Sequence, residues 1–332
     1  MLITRFTELV GCSVPLQQAP IGGLATPRLA AAVADAGALG MTTGTLLPPA
    51  ALAKRLDDLR AQTSGVFGVN FIPDLMDRGS VLESVEVAAK RARVVDFFFG
   101  SPDSALVEIV HRGGALVCWQ VGSLEEAIAA AEAGCDLIVA QGIEAGGHIR
   151  RHPTGLIALL SQVLDSVHVP VLAAGGIGNG RAMAAALAAG ASGVRVGTRF
   201  VAAEEAEAHP AYVNALMAAE ANDTVFTDRF SGGWPDAPHR VLRSCLEAAE
   251  AFQGEVVGEL LNVLTNTNVP LQRFQGNFTA SKRVTGTIEA MPLWAGESVI
   301  GVRGIQPAAE IVHELSATAE ELLRRWGSHD RA

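Results

Sequence analysis

Cys135-Asp136-Leu137-Ile138-Val139-Ala140-Gln141-Gly142-Ile143-Glu144-Ala145-Gly146-Gly147-His148 joins a short apolar run to a turn holding two adjacent glycines, a carboxylate and an imidazole. The run Cys135 to Val139 has the length and composition of a buried strand. The glycines carry no Cβ, so the backbone beyond the strand can approach a flat ligand closely. Histidine is the side chain whose ordinary pKa suits proton transfer near neutral pH. A strand ending in this way reads as one wall of a cofactor site with a base at its edge.

Working outward, the same unit recurs. Apolar runs at Val14–Gln18, Ala38–Thr43, Gly65–Asn70, Val94–Phe99, Ala115–Gln120, Cys135–Ala140, Val169–Ala174 and Gly193–Gly197 alternate with helical patterns. Strands buried on both faces read as continuous apolar runs, and eight of them in βα alternation predict an α/β fold, a (β/α)8 TIM barrel. Punctuation agrees: Thr26-Pro27 opens a helix with a capping residue and Pro at its first position. Ser123 and Glu126 are spaced as a capping box, and Gly134 and Gly190 close helices. An Ala/Glu-rich helix is expected over about 206–221. The pattern breaks after Asp228, where residues 231–300 are rich in Gly, Pro, Asn and Thr, with one helix expected around His239–Phe252. The expected organisation is therefore a barrel at 1–228, an added lobe or lid at 229–300, and a C-terminal segment, 301–332. In that segment the amphipathic helix Pro307–Trp326 packs back on the barrel.

Composition excludes several partners. The formal net charge is −10, and no Lys/Arg cluster offers a phosphate-backbone footprint, so neither nucleic acid nor an anionic membrane is an expected partner. Met1 to Val10 has no apolar core of the signal-peptide kind, and the longest uncharged stretches are broken by Gly and Pro. Cys12, Cys118, Cys135 and Cys245 have no metal-ligand or CxxC spacing, a pattern that fits free thiols in a reducing cytoplasm.

In a barrel the active site lies at the C-terminal ends of the strands, and phosphate binds after strands seven and eight. The seventh run ends in Ala174-Gly175-Gly176-Ile177-Gly178-Asn179-Gly180 and the eighth in Arg195-Val196-Gly197-Thr198. Backbone N–H groups in such turns, with a helix start behind them, make an anion cradle. The doubly wound dinucleotide fingerprint is absent, because the glycines follow the wrong strand and lack the acidic partner. One phosphate plus a flat ring in a barrel points to flavin mononucleotide. Ala19, Pro20 and Ile21 would line the ring from the first strand end, and Asn70, Gln120 and Gln141 sit at others, where an amide meets either a ligand edge or a core partner. Glu144 either orients His148 or caps its turn. His152 raises a metal pair with His148, but Arg150 and Arg151 disfavour a cation and no third ligand is evident, so no metal is expected.

On these residues the chain resembles the nitronate monooxygenase family, formerly called 2-nitropropane dioxygenases. The matching segments are Ala19–Gly23 with Ala25-Thr26-Pro27, Phe67–Asn70, Phe97–Pro102, Ala140–His148, Ala173–Ile177, Val196–Phe200 and Trp294-Ala295-Gly296. The resemblance implies a TIM-barrel flavoprotein with non-covalent FMN. Asn70, Gln141, Gly146, Gly147, Gly175, Gly176 and the turn Arg195–Thr198, with its Gly197 and Thr198, would then contact the cofactor, and His148 would be the catalytic base. The chain departs from the family pattern at Glu297 and Arg195, where glutamine is frequent, and at Ile21, where methionine is. Its single tyrosine, Tyr212, is expected away from the site. Lys282 either reaches the mouth, where it would attract an anion, or is a solvated surface lysine.

The expected activity is oxidation of alkyl nitronates or nitroalkanes with O2 to carbonyl compounds and nitrite. The alternative is an NAD(P)H-dependent reductase of enoyl-acyl-carrier protein or quinone on the same barrel. A non-catalytic flavin sensor would need a partner surface that the sequence does not display. A homodimer through the C-terminal helix is left open, since packing on the barrel already accounts for its apolar face.

Overall fold

The computed structural model describes residues 2–150, 153–262 and 265–327. Fourteen strands are present among these residues: β1 Leu16–Gln18, β2 Gly40–Thr43, β3 Phe67–Phe71, β4 Val94–Phe97, β5 Leu116–Val121, β6 Leu137–Gln141, β7 Gly147–His148, β8 Val171–Ala174, β9 Gly193–Val196, β10 Thr224–Thr227, β11 His239–Leu242, β12 Val256–Asn262, β13 Thr267–Gln272 and β14 Val284–Gly286. Eight form one parallel sheet in the order β1-β9-β8-β6-β5-β4-β3-β2. A parallel bridge between Gln17 and Leu39 closes it, with the Gln18 N–H donating to the Leu39 carbonyl (3.0 Å) and the Leu39 N–H to the Leu16 carbonyl (2.9 Å). The fold is the expected TIM barrel.

Strand alternation sorts the side chains into two cores. Val95, Phe97, Trp119, Ile138, Ala140, Val171, Ala173, Val194 and Val196 pack outward against the helices. Met41, Val94, Cys118, Leu137, Val139, Leu172 and Ala174 fill the interior. The bottom is plugged by a helix at Arg5–Val10, which carries Phe6 and Val10 into the interior cluster. Its first turn is closed by a reciprocal Thr4–Thr7 capping box. The sequence reading assigned no element there.

Helix boundaries follow local chemistry. Thr26 caps Pro27–Asp35 by accepting from Leu29 N–H, and Asn179 caps Gly180–Ala188 by accepting from Ala182 N–H. The Ser123 capping box is half formed. Ser123 accepts from Glu126 N–H, but the Glu126 carboxylate accepts from Gly122 N–H instead and pairs with Arg150. The helix expected at 206–221 is shorter, Pro210–Met217, because Pro210 sets its start. The helix expected over His239–Phe252 begins at Arg243. Residues His239–Leu242 are strand, drawn into antiparallel pairing with β10 and with the two-residue β7.

A second apolar core joins Leu24, Tyr212, Leu216 and Phe230 to Val241, Cys245, Met291 and Trp294, over the barrel mouth. β12, β13 and β14 form a separate antiparallel sheet at its edge. The C-terminal helix Ala308–Gly327 buries Ile311, Val312, Leu315 and Ala319, and its Thr318 and the Leu315 carbonyl lie directly against Gly180 of the helix after β8. Among the described residues no helix is long and apolar enough to cross a membrane.

Candidate active site at the barrel mouth

The floor of the mouth is a buried polar layer. Arg195, 4% exposed in its side chain, pairs with the fully buried carboxylate of Asp96. Its Nε donates to Gln17 Oε1 (3.0 Å), and its remaining nitrogen donates to Gln120 Oε1. Asp96 in turn accepts from Asn70 Nδ2 (2.7 Å). Register places these groups together: Gln17 lies opposite Arg195, and Asn70 opposite Asp96. A charged pair this deep persists because each oxygen and nitrogen finds a partner. Asn70, expected to meet a ligand with its amide, has its N–H committed to Asp96.

Above this floor stands His148, on β7. Its backbone carbonyl accepts from Gln141 Nε2 (3.1 Å), and β7 pairs with β11 so that His148 lies opposite His239. The ring is boxed by aromatic groups: Trp234 at 4.0 Å between centroids, Trp294 at 4.9 Å and His239 at 5.4 Å. Burial in this box pushes the His148 pKa down to about 3, and the neighbouring His239 adds to the shift. The imidazole is therefore neutral across the physiological range. Two buried polar atoms here have no partner, His148 Nε2 and Gln141 Oε1. Buried polar groups are normally satisfied, so this unsatisfied pair makes the mouth a candidate ligand site.

Gly146 and Gly147 are required for different reasons. A Cβ at Gly146 would lie 2.3 Å from Gly296 N and 2.6 Å from the Ala295 carbonyl carbon, so the turn packs backbone to backbone on the Trp294-Ala295-Gly296 segment. Gly147 has φ +76° and faces open space.

The turn after β8 is where the sequence places an anion cradle. Gly175 and Gly176 have φ +117° and +69°. The N–H groups of Gly175, Gly176, Ile177, Gly178 and Asn179 make no hydrogen bond among the described residues. Five consecutive free donors beside a helix start are the donor set that an anion requires. Gly197 and Thr198 lie at the neighbouring strand end, although the Thr198 hydroxyl already accepts from Gly296 N–H (3.0 Å). Ala19, Pro20 and Ile21 line the rim half-buried, next to exposed Gly22 and Gly23. The open alternatives resolve as follows. Glu144 caps the helix Leu156–Ser166, both oxygens accepting from Leu156 N–H (3.0 Å each). Glu297 faces Arg240 (3.5 Å), and Lys282 is held at the surface by Glu207 and the Ala206 carbonyl. Tyr212 is not remote, since its hydroxyl donates to the Trp294 carbonyl behind the aromatic box. His152 lies outside the described residues, and among those described no cluster of His, Cys, Asp and Glu could hold a metal.

Sequence reasoning missed Asp96, Trp234, His239 and Arg240. His239 donates from Nδ1 to the Ala237 carbonyl (3.0 Å) and accepts at Nε2 from Phe230 N–H (3.2 Å), so it is a fixed neutral wall. Arg240 donates to the Ile143 carbonyl (2.9 Å) and to Thr224 (3.1 Å), tying the lobe to the turn that carries His148. Asp96 could have been found as a charged residue inside an otherwise apolar strand run; nothing local marks the others.

The family model for nitronate monooxygenase matches residues 4–318. The chain is 34% identical over 262 residues to (3aS,4S,5R,7aS)-5-hydroxy-7a-methyl-1-oxo-octahydro-1H-indene-4-carboxyl-CoA dehydrogenase of Rhodococcus jostii (strain RHA1), covering 77% of this chain and 70% of that protein. Its structure is similar to FabK from Thermotoga maritima, with TM-score 0.79, 30% identity, and coverage of 98% of this chain and 99% of that one. It is similar also to nitroalkane oxidase from Streptomyces ansochromogenes, with TM-score 0.76, 28% identity, and coverage of 97% and 100%.

Proposed function

The chain belongs to the nitronate monooxygenase family and is an oxidoreductase, and on that premise we propose that it is an FMN-dependent nitronate monooxygenase, converting alkyl nitronates and nitroalkanes with O2 to carbonyl compounds and nitrite. The observation that carries this reading is the unpartnered His148 Nε2, set in an aromatic box, together with the unpartnered Oε1 of Gln141, whose Nε2 holds the His148 carbonyl. The five free N–H groups from Gly175 to Asn179 suit the FMN phosphate. Gln141 suits a ring edge, with Ala19, Pro20, Ile21, Gly146, Gly147, Gly197 and Thr198 around it. When bound, FMN would supply the redox chemistry between nitronate and O2.

The protein's own part is binding and proton transfer. His148 Nε2, neutral and without a partner, is the acceptor for the α-proton of a neutral nitroalkane. Gln141 Nε2 holds the His148 carbonyl and so fixes the turn on which the ring stands. Trp234 and Trp294 keep water off the ring. The division into a barrel (1–228), a lid-like lobe (229–300) and a C-terminal segment (301–332) belongs to this proposal, since the lobe contributes both indoles. Four free cysteines, three of them buried, accord with a cytoplasmic setting.

A second reading, an NAD(P)H-dependent flavin reductase, is favoured by the likeness to FabK. An anaerobic titration of the flavin-loaded protein separates the two. Bleaching by ethyl nitronate and not by NADH or NADPH is expected. Rapid bleaching by a nicotinamide alone would transfer the assignment to the reductase, and a protein that takes up no FMN would refute both.

A further inference from the structure

We propose that Trp234 is a specificity-determining gate. Its indole occupies the space beside the His148 ring that the carbon skeleton of a substrate would take, and so sets the upper size limit of the site. The inference rests on the reading of His148 as the base.

Three observations converge on this residue. The Trp234–His148 separation of 4.0 Å is the shortest of the ring contacts around His148. Ser231, Gly232, Gly233, Pro235 and Asp236 are all exposed, while Trp234 between them is 7% exposed. The loop is thus a solvent-facing strap that inserts one large side chain into the mouth. The two indoles in the box also differ in how they are fixed. Trp294 donates from Nε1 to the Phe278 carbonyl (3.0 Å), and its own carbonyl accepts from Tyr212. The Trp234 indole makes no hydrogen bond among the described residues and is held by packing alone. Trp294 is a fixed wall and Trp234 a displaceable one.

The far side of Trp234 is prepared for exchange. Phe99 meets it edge to face at 4.9 Å, with φ +60° at Phe99, a left-handed conformation that a bulky side chain adopts at a cost. Phe99 also borders an outer groove with Arg150, Thr154 and Leu159. The Arg150 guanidinium over the Phe99 ring is already paired with Glu126, so among the described residues the groove presents an apolar ring face at Phe99 beside a neutralised ion pair, with Ser123, Glu125 and Gln162 also in its lining. An apolar group entering along Phe99 would replace the indole against His148. The class of substrate that the present wall restrains is therefore nitro compounds with an aryl or long alkyl body, relative to short-chain ones. Pockets of this kind discriminate by tens to hundreds of fold per small group added or removed.

The test compares wild type with Trp234→Ala and Trp234→Phe, each checked for cooperative unfolding. The ratio of kcat/KM for the anion of phenylnitromethane to that for ethyl nitronate should rise at least tenfold in Trp234→Ala, with Trp234→Phe between. Independently of turnover, NMR titration of the His148 ring should show its pKa moving up from about 3 toward the ordinary 6.5 when the indole is removed. An unchanged ratio in the folded variants, or a His148 pKa that stays at about 3 in Trp234→Ala, would overturn the gate. If wild type turns over no nitronate, the proposed function fails. The gate is then decided by His148 ring shifts on adding nitroethane or phenylnitromethane, and equal relative affinities in wild type and variant would overturn it.

Discussion

Removing one member of the Asp96–Arg195 pair should destabilise the protein far more than removing both charges. Both side chains are almost wholly buried, so neither charge has water to fall back on. Arg195→Gln leaves the Asp96 carboxylate with the Asn70 amide as its main donor, and Asp96→Asn leaves the guanidinium with two glutamine oxygens, Gln17 and Gln120. Orphaning one partner of a buried pair costs about 3–5 kcal/mol. The double variant Asp96→Asn with Arg195→Gln holds only neutral amides, which can donate and accept among Gln17, Asn70 and Gln120. Its cost should fall short of the sum of the single costs by at least about 2 kcal/mol, well beyond the roughly 0.5 kcal/mol scatter of independent sites. Urea unfolding of the FMN-free protein, followed by tryptophan fluorescence, reads this directly. Trp119 stacks on Phe97 at 4.7 Å in the adjacent barrel wall and reports on the same layer. Additive effects, or single variants that lose less than about 1 kcal/mol, would show that the layer is solvated and that the argument from burial fails.

Three further outcomes follow from the site. His148→Ala should keep FMN, judged by flavin content, while losing turnover of neutral nitroalkane about 10²–10⁴-fold and turnover of preformed nitronate much less; equal losses would remove the base assignment. Gly146→Ala forces a Cβ to within 2.3 Å of Gly296 N and 2.6 Å of the Ala295 carbonyl carbon, and backbone cannot rotate away. It should cost about 1–3 kcal/mol in thermal unfolding and weaken FMN retention, whereas unaltered melting and flavin content would mean that the turn and the 294–296 segment are not tightly docked. Because His148 has a folded-state pKa of about 3 against an ordinary 6.5, the unfolded chain binds a proton in that window that the folded protein refuses. Stability from this group is complete above pH 6.5 and declines as pH falls toward 3, by about 1–2 kcal/mol at pH 5 after allowance for partial exposure. His148→Phe should flatten that slope in urea midpoints between pH 7 and pH 5, and an unchanged slope would contradict the depressed value.

The barrel was legible because its strands are buried on both faces, so each wrote a continuous apolar run into the chain. The glycine turns after β6 and β8 were legible for a related reason: Gly147, Gly175 and Gly176 take left-handed φ and Gly146 has no room for a Cβ against Gly296, and a Gly-Gly pair at a strand end records such a turn. The polar floor was not legible as a unit. Gln17, Asn70, Asp96, Gln120 and Arg195 come from five different strands; register sets Gln17 opposite Arg195 and Asn70 opposite Asp96, and the Arg195 side chain reaches Asp96 and Gln120 to join them. The lobe was illegible for the opposite reason to the barrel. β13 is exposed at all but one of its positions, so it has no alternation to read. His-Arg-Val-Leu at 239–242 runs straight into a helix-forming sequence, and its strand character comes from partners at 147–148 and 224–227.

That last pairing explains why His148, the proposed base, could be singled out while its surroundings could not. His148 announces itself beside two glycines, yet its chemistry is set by Trp234, His239 and Trp294, brought to it by a two-residue ladder and by the docking of Gly146 on Gly296. The box makes the imidazole neutral and also weakly basic, which is a poor state for removing a proton from carbon unless the charge created is held close by. Proton transfer from a nitroalkane leaves an imidazolium beside a nitronate, and in a low-dielectric pocket each ion raises the other's stability far more than it would in water. A preformed nitronate needs no such transfer and meets a ring that is already neutral. On the proposed reading the ring is needed to take the proton from the neutral acid and is not needed for the preformed anion, and this is why losing it should separate the two substrates in rate.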